Sequence, residues 1–269
     1  MPLVQAGTVK LEYDEAGAGD NIAVLIHGAS SSHRQWAAVQ RHLADAGVHS
    51  YAISMRGAGA SDRGTTEADY APASYARDLA AAVDALGLRR FTLVGHSLGT
   101  LVSRYYVRDH AERVRALVLI AGPDPARPGL TPEQRTARAA RPTASLPGDS
   151  APPEAWTRQH QGLDETQRTA LWRDIQSNPP ERARGQESPW PGLEGAAAHI
   201  IWPVHTLVML GDADDVVPPE EPLRGFMELA QELRHLHVFT DIGHFPPAHI
   251  PDRTAGVLVR FMQAHAGPA

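Results

Sequence analysis

The sequence predicts an α/β fold with a doubly wound, mostly parallel sheet and a helical cap inserted into it. Three observations carry this prediction. Short apolar runs recur along the chain, amphipathic segments separate them, and a Pro-rich region interrupts the alternation. We therefore expect a core made of residues 1–122 and 203–269 and a cap insertion over residues 123–202.

Six apolar runs are the candidate strands, and each one ends in a turn signal. Their hydrophobicity is continuous rather than alternating, which is typical of parallel strands that are covered on both faces. The runs span residues 21–28, 50–54, 91–97, 114–122, 204–212 and 236–244.

Amphipathic segments between the runs are the candidate helices. Apolar residues recur at helical spacing in residues 74–87, 98–106 and 254–265. Strands that alternate with helices favour right-handed crossover connections, which build a doubly wound sheet. The serines at positions 30–32 precede a further helical pattern, and we expect them to cap it.

The interrupting region has no convincing strand and holds twelve of the 22 prolines. We interpret it as short helices and loops that cover the carboxyl edge of the sheet, where open α/β sheets bind ligands. Pro-rich linkers at its ends predict a lid that shifts. The region also contains Trp156, Trp172 and Trp190, which either line a pocket for an apolar, ring-sized substrate or only pack the lid.

Composition excludes several classes of site and partner. The 269 residues contain no cysteine, which excludes disulfides, thiolate metal sites and Cys nucleophiles. The net charge of −6 argues against a nucleic-acid partner, which needs a basic face. No apolar run is long enough to span a membrane, and nothing in the composition favours binding to a membrane surface.

The remaining expectations concern location, assembly and cofactors. The N-terminal segment lacks the basic and apolar regions of a signal peptide, so we expect a cytoplasmic protein. We expect a monomer or a homodimer. No H-E-x-x-H motif or similar ligand spacing is present, so we expect neither a metal nor a cofactor.

One pentapeptide carries a specific chemical signal. Residues 95–99 read GHSLG and fit G-x-S-x-G, between a predicted strand and a predicted helix. A serine on so sharp a bend has a strained backbone, and Gly95 and Gly99 leave room for the close approach of its neighbours. The helix N-terminus favours developing negative charge. Ser97 is therefore a candidate nucleophile, and a plain turn serine is the alternative.

A serine nucleophile needs a base and an orienting carboxylate. The base candidate is His244, just after the last predicted strand, whereas we interpret His237 as structural, His249 as a surface residue and His96 as a packing residue. The carboxylate candidates in the segment GDADDVVPP at 211–219 are Asp212, Asp214 and Asp215. The chain order Ser, Asp, His is one of the known orders of a catalytic triad.

Five motifs together make the chain resemble an α/β-hydrolase-fold serine hydrolase over nearly its whole length. The motifs are HGASSS at 27–32, RGAGASD at 56–62, GHSLG at 95–99, GDADDVVP at 211–218 and GHFPPAHIP at 243–251.

The resemblance implies a role for each residue of the site. Ser97 is the nucleophile, His244 the base and Asp214 the orienting acid, while Asp215 and Asp124 stay open as alternative acids. The resemblance further implies an oxyanion hole, a pair of backbone N–H donors that stabilises the charged intermediate. We expect these donors to be Ala29 and Leu98.

The implied reaction is acyl transfer to water, with a small apolar ester or lactone as the substrate. A C–C bond hydrolase and a perhydrolase or haloperoxidase-like enzyme are alternatives on the same fold. A non-catalytic receptor for a small molecule is an alternative of another class, because fold alone does not establish activity.

Overall fold

The computed structural model describes residues 2–125, 133, 150–186 and 202–265. Within them, eight strands form one sheet with the order β1-β2-β4-β3-β5-β6-β7-β8. The strands are β1 (Leu3–Ala6), β2 (Val9–Ala16), β3 (Ile22–Ile26), β4 (His49–Ile53), β5 (Phe91–His96), β6 (Val114–Ile120), β7 (Thr206–Gly211) and β8 (Arg234–Phe239).

The helices of the described residues pack around this sheet. They are α1 (Ala37–Asp45), α2 (Pro72–Ala85), α3 (Leu98–His110), α4 (Glu154–Gln159), α5 (Glu165–Gln176), α6 (Pro180–Gln186), α7 (Glu220–Met227), α8 (Pro246–His249) and α9 (Pro251–His265). Short 3₁₀ turns span His33–Trp36, Glu67–Tyr70 and Ala111–Arg113. Among the described helices, none combines the length and the apolar character needed to cross a bilayer.

The predicted fold class is confirmed. Strands β3 to β8 are parallel, and each overlaps one of the predicted apolar runs. The largest difference is at β8, which begins two residues before its predicted run and ends five residues before the end of that run. The predicted helices are α2, α3 and α9, with bounds shifted by a few residues. Strands β1 and β2 form a hairpin that was not among the predicted strands, and β2 pairs antiparallel with β4. Strand β2 is only partly buried and carries charged residues, so it lacks a continuous apolar run.

The core lies on both faces of the sheet. Every residue of the central strand β5 is buried, and neighbouring side chains point to opposite faces. Leu93 belongs to the cluster that packs under α2 and α3, while Val94 belongs to the cluster under α1 and α9. This two-sided burial fixes the carboxyl end of β5, from which Ser97 follows.

Three described helices, α4, α5 and α6, lie in the chain between β6 and β7. They fall within the region that the sequence analysis interprets as a cap. Trp190 lies outside the described residues, as do parts of the region on either side of these helices.

Candidate active site

Ser97 occupies the bend between β5 and α3 in a backbone conformation that residues with a Cβ rarely adopt. Its φ is 51° and its ψ is −119°. Neighbouring groups hold this bend: the N–H of Ser97 donates to the carbonyl of Ile120 at 2.8 Å. The carbonyl of Ser97 accepts from the N–H and the hydroxyl of Thr100, at 2.9 and 2.7 Å. The surrounding hydrogen bonds therefore maintain the unusual conformation.

Two glycines allow the bend to fit under its neighbours. A Cβ on Gly95 would lie 2.3 Å from the carbonyl oxygen of Gly99, and a Cβ on Gly99 would lie 2.5 Å from that of Ile26. Both distances are far below van der Waals contact. A larger residue at either position would force the backbone apart.

The structure brings Ser97, His244 and Asp214 together in one hydrogen-bonded chain. Nε2 of His244 lies 2.9 Å from Oγ of Ser97, and Nδ1 of His244 lies 2.8 Å from Oδ2 of Asp214. The side chains of His244 and Asp214 are 3% and 1% exposed. Because the carboxylate accepts from Nδ1–H, Nε2 is left to accept the serine proton.

The other oxygen of Asp214 is held by the backbone. Oδ1 accepts from the N–H groups of Val216 and Val217, each at 2.9 Å. The alternative acids lie elsewhere: Asp215 is exposed, and Oδ2 of Asp124 accepts from Nε of Arg224 at 2.9 Å. Of the three candidates, Asp214 is the one in contact with His244.

His96 is buried and packs against the rings of His244 and Phe245, and it also makes a hydrogen bond that the sequence did not predict. Its Nε2–H donates to the backbone carbonyl of His244 at 2.8 Å. Burial, with the nearby His244 second, lowers the pKa of His96 to about 3, so the ring is neutral at pH 7. His96 occupies the first variable position of G-x-S-x-G. Because the motif specifies no residue type there, this hydrogen bond could not be predicted from the sequence.

The loop after β3 lies directly beside Ser97. A Cβ on Gly28 would lie 3.1 Å from Cβ of Ser97. His27 anchors this loop: its Nδ1–H donates to the carbonyl of Gly28 at 2.7 Å, and its Nε2 accepts from the N–H of Met55 at 2.9 Å. Burial, followed by the charge of Arg182, lowers the pKa of His27 well below its usual value.

The predicted oxyanion donors flank Ser97. Ala29 follows Gly28 and lines the same cavity as Ser97, and Leu98 is the first residue of α3. Their backbone N–H groups therefore remain the predicted pair.

A cavity of about 290 Å³ opens above Ser97. Trp156 and Trp172 both line it, with their ring centroids 5.1 Å apart, and Nε1 of Trp172 donates to the carbonyl of Ser150 at 2.7 Å. Most of the remaining wall was not predicted from the sequence; its side chains include His160, Ile175, Asn178, Gln186, Val216 and Phe245. Phe245 and Val216 lie within the motifs that carry His244 and Asp214. No motif marked His160, Ile175, Asn178 or Gln186, which come from α5, α6 and the turns that follow α4 and α5.

His160, which follows α4 in the segment between β6 and β7, is a buried titratable residue of this wall. Its ring stacks on Trp156 with 4.0 Å between centroids, and its Nδ1–H donates to the carbonyl of Trp156 at 2.8 Å. Burial lowers its pKa to about 4. His160 is therefore neutral at pH 7, and its Nε2 is an acceptor.

Helix α6 and the turn before it are tied to the loop beside Ser97. Nδ2 of Asn178 donates to the carbonyl of Ser30 at 2.7 Å, and Nη2 of Arg182 donates to the carbonyl of Ser31 at 3.2 Å. Nη1 of Arg182 also donates to Oδ1 of Asn178. A movement of α6 would have to break these bonds to the core.

Comparisons with known proteins agree with this architecture. A family model described as alpha/beta hydrolase fold matches residues 23–247. A thermophilic esterase from Thermogutta terrifontis superimposes with a TM-score of 0.75 at 24% identity, covering 98% of each chain. The enol-lactonase from Burkholderia xenovorans superimposes with a TM-score of 0.79 at 18% identity, covering 97% of this chain and 100% of the other.

The sequence match to a relative of known name covers only part of each chain. The 2-hydroxy-6-oxononadienedioate/2-hydroxy-6-oxononatrienedioate hydrolase from Burkholderia vietnamiensis is 32% identical over 124 residues, which is 45% of this chain and 43% of the relative. The chain thus matches less than half the length of this relative.

Proposed function

This chain is a member of the α/β-hydrolase family, and we propose that it is a serine hydrolase that cleaves carboxylic esters or lactones. The observation that carries the proposal is the hydrogen-bonded chain from Ser97 through His244 to Asp214, at 2.9 and 2.8 Å, in the wall of a cavity. This is the arrangement that activates a serine hydroxyl for attack on a carbonyl carbon.

The first half of the reaction forms an acyl-enzyme. Oγ of Ser97 attacks the carbonyl carbon while Nε2 of His244 takes the hydroxyl proton, and Asp214 stabilises the imidazolium. The oxyanion of the tetrahedral intermediate accepts hydrogen bonds from the backbone N–H groups of Ala29 and Leu98. The intermediate then collapses, and His244 gives its proton to the departing alkoxide.

The second half releases the acid. Water attacks the acyl carbon, His244 takes a proton from it, and Ser97 leaves with that proton. An ester yields an alcohol and an acid. A lactone yields one hydroxy acid, because its leaving oxygen stays attached to the acyl chain.

The cavity favours a small substrate without charge. Its volume of about 290 Å³ lies at the lower end of the usual range for ligand sites. Aromatic rings from Trp156, Trp172 and Phe245 supply apolar surface, and His160 offers a neutral acceptor. No Lys or Arg occurs among the described residues that line it. This favours an ester or lactone over a dicarboxylate substrate such as the name of the Burkholderia vietnamiensis relative indicates.

The test is a hydrolysis screen on matched variants. p-Nitrophenyl esters of increasing acyl length and aliphatic and aromatic lactones are given to the wild type, Ser97→Ala and Ser103→Ala. Ser103 is a buried serine of α3 outside the cavity lining, so it controls for the loss of a hydroxyl. We expect turnover in the wild type and Ser103→Ala and none above background in Ser97→Ala.

Two results would overturn the proposal. Undiminished hydrolysis by Ser97→Ala would exclude Ser97 as the nucleophile. Tight ligand binding by both the wild type and Ser97→Ala, with no turnover of any carbonyl substrate, would indicate a receptor. A fluorophosphonate probe gives an independent readout, since mass spectrometry should find its adduct on the peptide that contains Ser97.

A further inference from the structure

Three histidines from separate segments meet at the amino ends of β7 and β8, the edge of the sheet opposite the cavity. His205 directly precedes β7, His235 lies in β8, and His265 ends α9. Nδ1 of His205 lies 3.2 Å from Nε2 of His235. The ring of His265 lies 4.4 Å from that of His205 and 4.2 Å from that of His235, between centroids.

The ring nitrogens are spaced for a common ligand. One nitrogen from each histidine lies within 4.8 Å of the other two, and all three residues are half-buried. A tetrahedral Zn²⁺ ion with Zn–N bonds of 2.0–2.1 Å separates its ligand nitrogens by about 3.3 Å. The contact between His205 and His235 already has this length, and rotation of the half-buried His265 side chain would shorten the other two distances.

No anionic side chain accounts for the cluster. Among the described residues, no carboxylate lies within ion-pairing distance of any of the three rings. Nδ1 of His205 and Nε2 of His235 make a hydrogen bond to each other. A cation that binds here would replace this hydrogen bond with two metal–nitrogen bonds and release its proton. A half-buried position also leaves solvent access for a fourth ligand.

The surrounding core holds two of the rings in place. Phe261 meets His235 edge-on at 5.3 Å and lies 5.1 Å from His265, between centroids. The carbonyl of His205 accepts from the N–H of Leu117 at 2.9 Å, which fixes its backbone against β6. These contacts limit the movement of the His235 and His265 rings and of the His205 backbone.

We propose that His205, His235 and His265 form a binding site for a divalent transition-metal ion, with Zn²⁺ as the first choice. Imidazole suits Zn²⁺, Cu²⁺ and Ni²⁺, and a site with three protein ligands keeps a position open for water. The ion would clamp the end of α9 to the amino ends of β7 and β8. These histidines are 30 residues apart along the chain and match no local motif, so the sequence pattern did not predict a metal site.

The site is tested on tag-free protein stripped with EDTA. Isothermal titration with ZnCl₂ should give one ion per chain, and Zn²⁺ should raise the melting temperature. His205→Ala and His265→Ala should each weaken binding at least about 10-fold. His237→Ala is the matched control, because His237 lies two residues beyond His235 on the same strand and outside the cluster. It should bind Zn²⁺ like the wild type.

Cobalt reports the ligand set independently of stability. Co²⁺ bound to the wild type and to His237→Ala should show the visible absorption of a tetrahedral site, and the triple variant His205→Ala/His235→Ala/His265→Ala should not. The proposal fails if the wild type binds no Zn²⁺ in a saturable manner. It also fails if the triple variant binds Zn²⁺ as tightly as the wild type. The ester hydrolysis of the stripped protein should be unchanged, so this result is separate from the proposed function.

Discussion

The ring of His96 donates a hydrogen bond to the backbone carbonyl of His244, with 2.8 Å between Nε2 and the oxygen. The residue directly before Ser97 therefore holds the loop that carries the proposed base. The distance between Ser97 and His244 depends on this cross-link as well as on the loop after β8.

We expect His96→Ala to lower kcat on a p-nitrophenyl ester about 10-fold, with a smaller change in KM. The variant removes the donor that positions His244 and about 1 kcal/mol of hydrogen-bond stabilisation. His96→Gln should recover part of kcat, because its amide can donate in the same direction. Steady-state kinetics at several pH values check this, and wild-type kcat in His96→Ala would contradict it.

The choice of acid gives a second prediction. Asp214→Asn should lower kcat by a factor on the order of 10⁴, because the amide no longer holds the imidazole in the tautomer that accepts the serine proton. Asp215→Asn is the matched control one residue away, and its exposed side chain should leave kcat within a few-fold of wild type. The assignment is wrong if Asp215→Asn is the inactive variant.

Acid should destabilise the fold through buried imidazoles. Burial lowers the pKa of His96 to about 3 and that of His160 to about 4, whereas imidazole in an unfolded chain titrates near 6.5. Between those values the unfolded chain binds protons that the folded chain does not. The free energy of unfolding should therefore fall as the pH drops below about 6.5. Above that pH these two histidines should make no pH-dependent contribution to the free energy of unfolding.

Urea unfolding at pH 7, 6 and 5 measures this slope. Each of the two histidines should contribute about 1.4 kcal/mol per pH unit below pH 6. His160→Gln should remove one such contribution. Gln161→Ala, which changes an exposed side chain without a titrating group beside His160, should leave the slope unchanged. Equal slopes in His160→Gln and the wild type would show that His160 titrates normally.

Two glycines should respond to alanine in opposite directions. At Gly99 the added Cβ would lie 2.5 Å from the carbonyl oxygen of Ile26, so Gly99→Ala should cost about 3 kcal/mol of unfolding free energy. At Gly256, inside α9, the nearest atom is Nη1 of Arg260 at 3.5 Å. Gly256→Ala should therefore stabilise by up to about 1 kcal/mol. Chemical denaturation of both variants checks the signs.

The bonds from α6 to the core give a fifth prediction. Arg182 is 1% exposed, and replacing it by methionine removes its bonds to Ser31 and Asn178. We expect faster hydrogen exchange in α6 and in residues 30–32, and a kcat about 10-fold lower. Arg173→Met, at an exposed position of α5, is the control and should change neither. Wild-type exchange in Arg182→Met would contradict the role of these bonds.

The features that could be predicted from the sequence are those determined by residues close together in the chain. Continuous apolar runs identify the inner strands, such as β3, β5 and β7, because strands buried on both faces leave few polar positions. The edge strand β8 is only partly buried, and its predicted run was displaced toward its carboxyl end. Ser97, His244 and Asp214 could be proposed because each follows a strand end within a short motif. His160, Asn178 and Gln186 could not, since their place in the cavity depends on how separate helices fold back over the sheet.

The carbonyls of Ser30 and Ser31 accept hydrogen bonds from Asn178 and Arg182, so the segment that lines the cavity also supports the loop expected to stabilise the oxyanion. A change in the segment that carries Asn178 and Arg182 is therefore expected to disturb the loop after β3 as well. Cap residues exchanged with those of a relative would alter turnover even for compounds that never touch the transplanted side chains. Variant libraries that aim at a new substrate specificity should keep Asn178 and Arg182 and vary Trp156 and Trp172 instead.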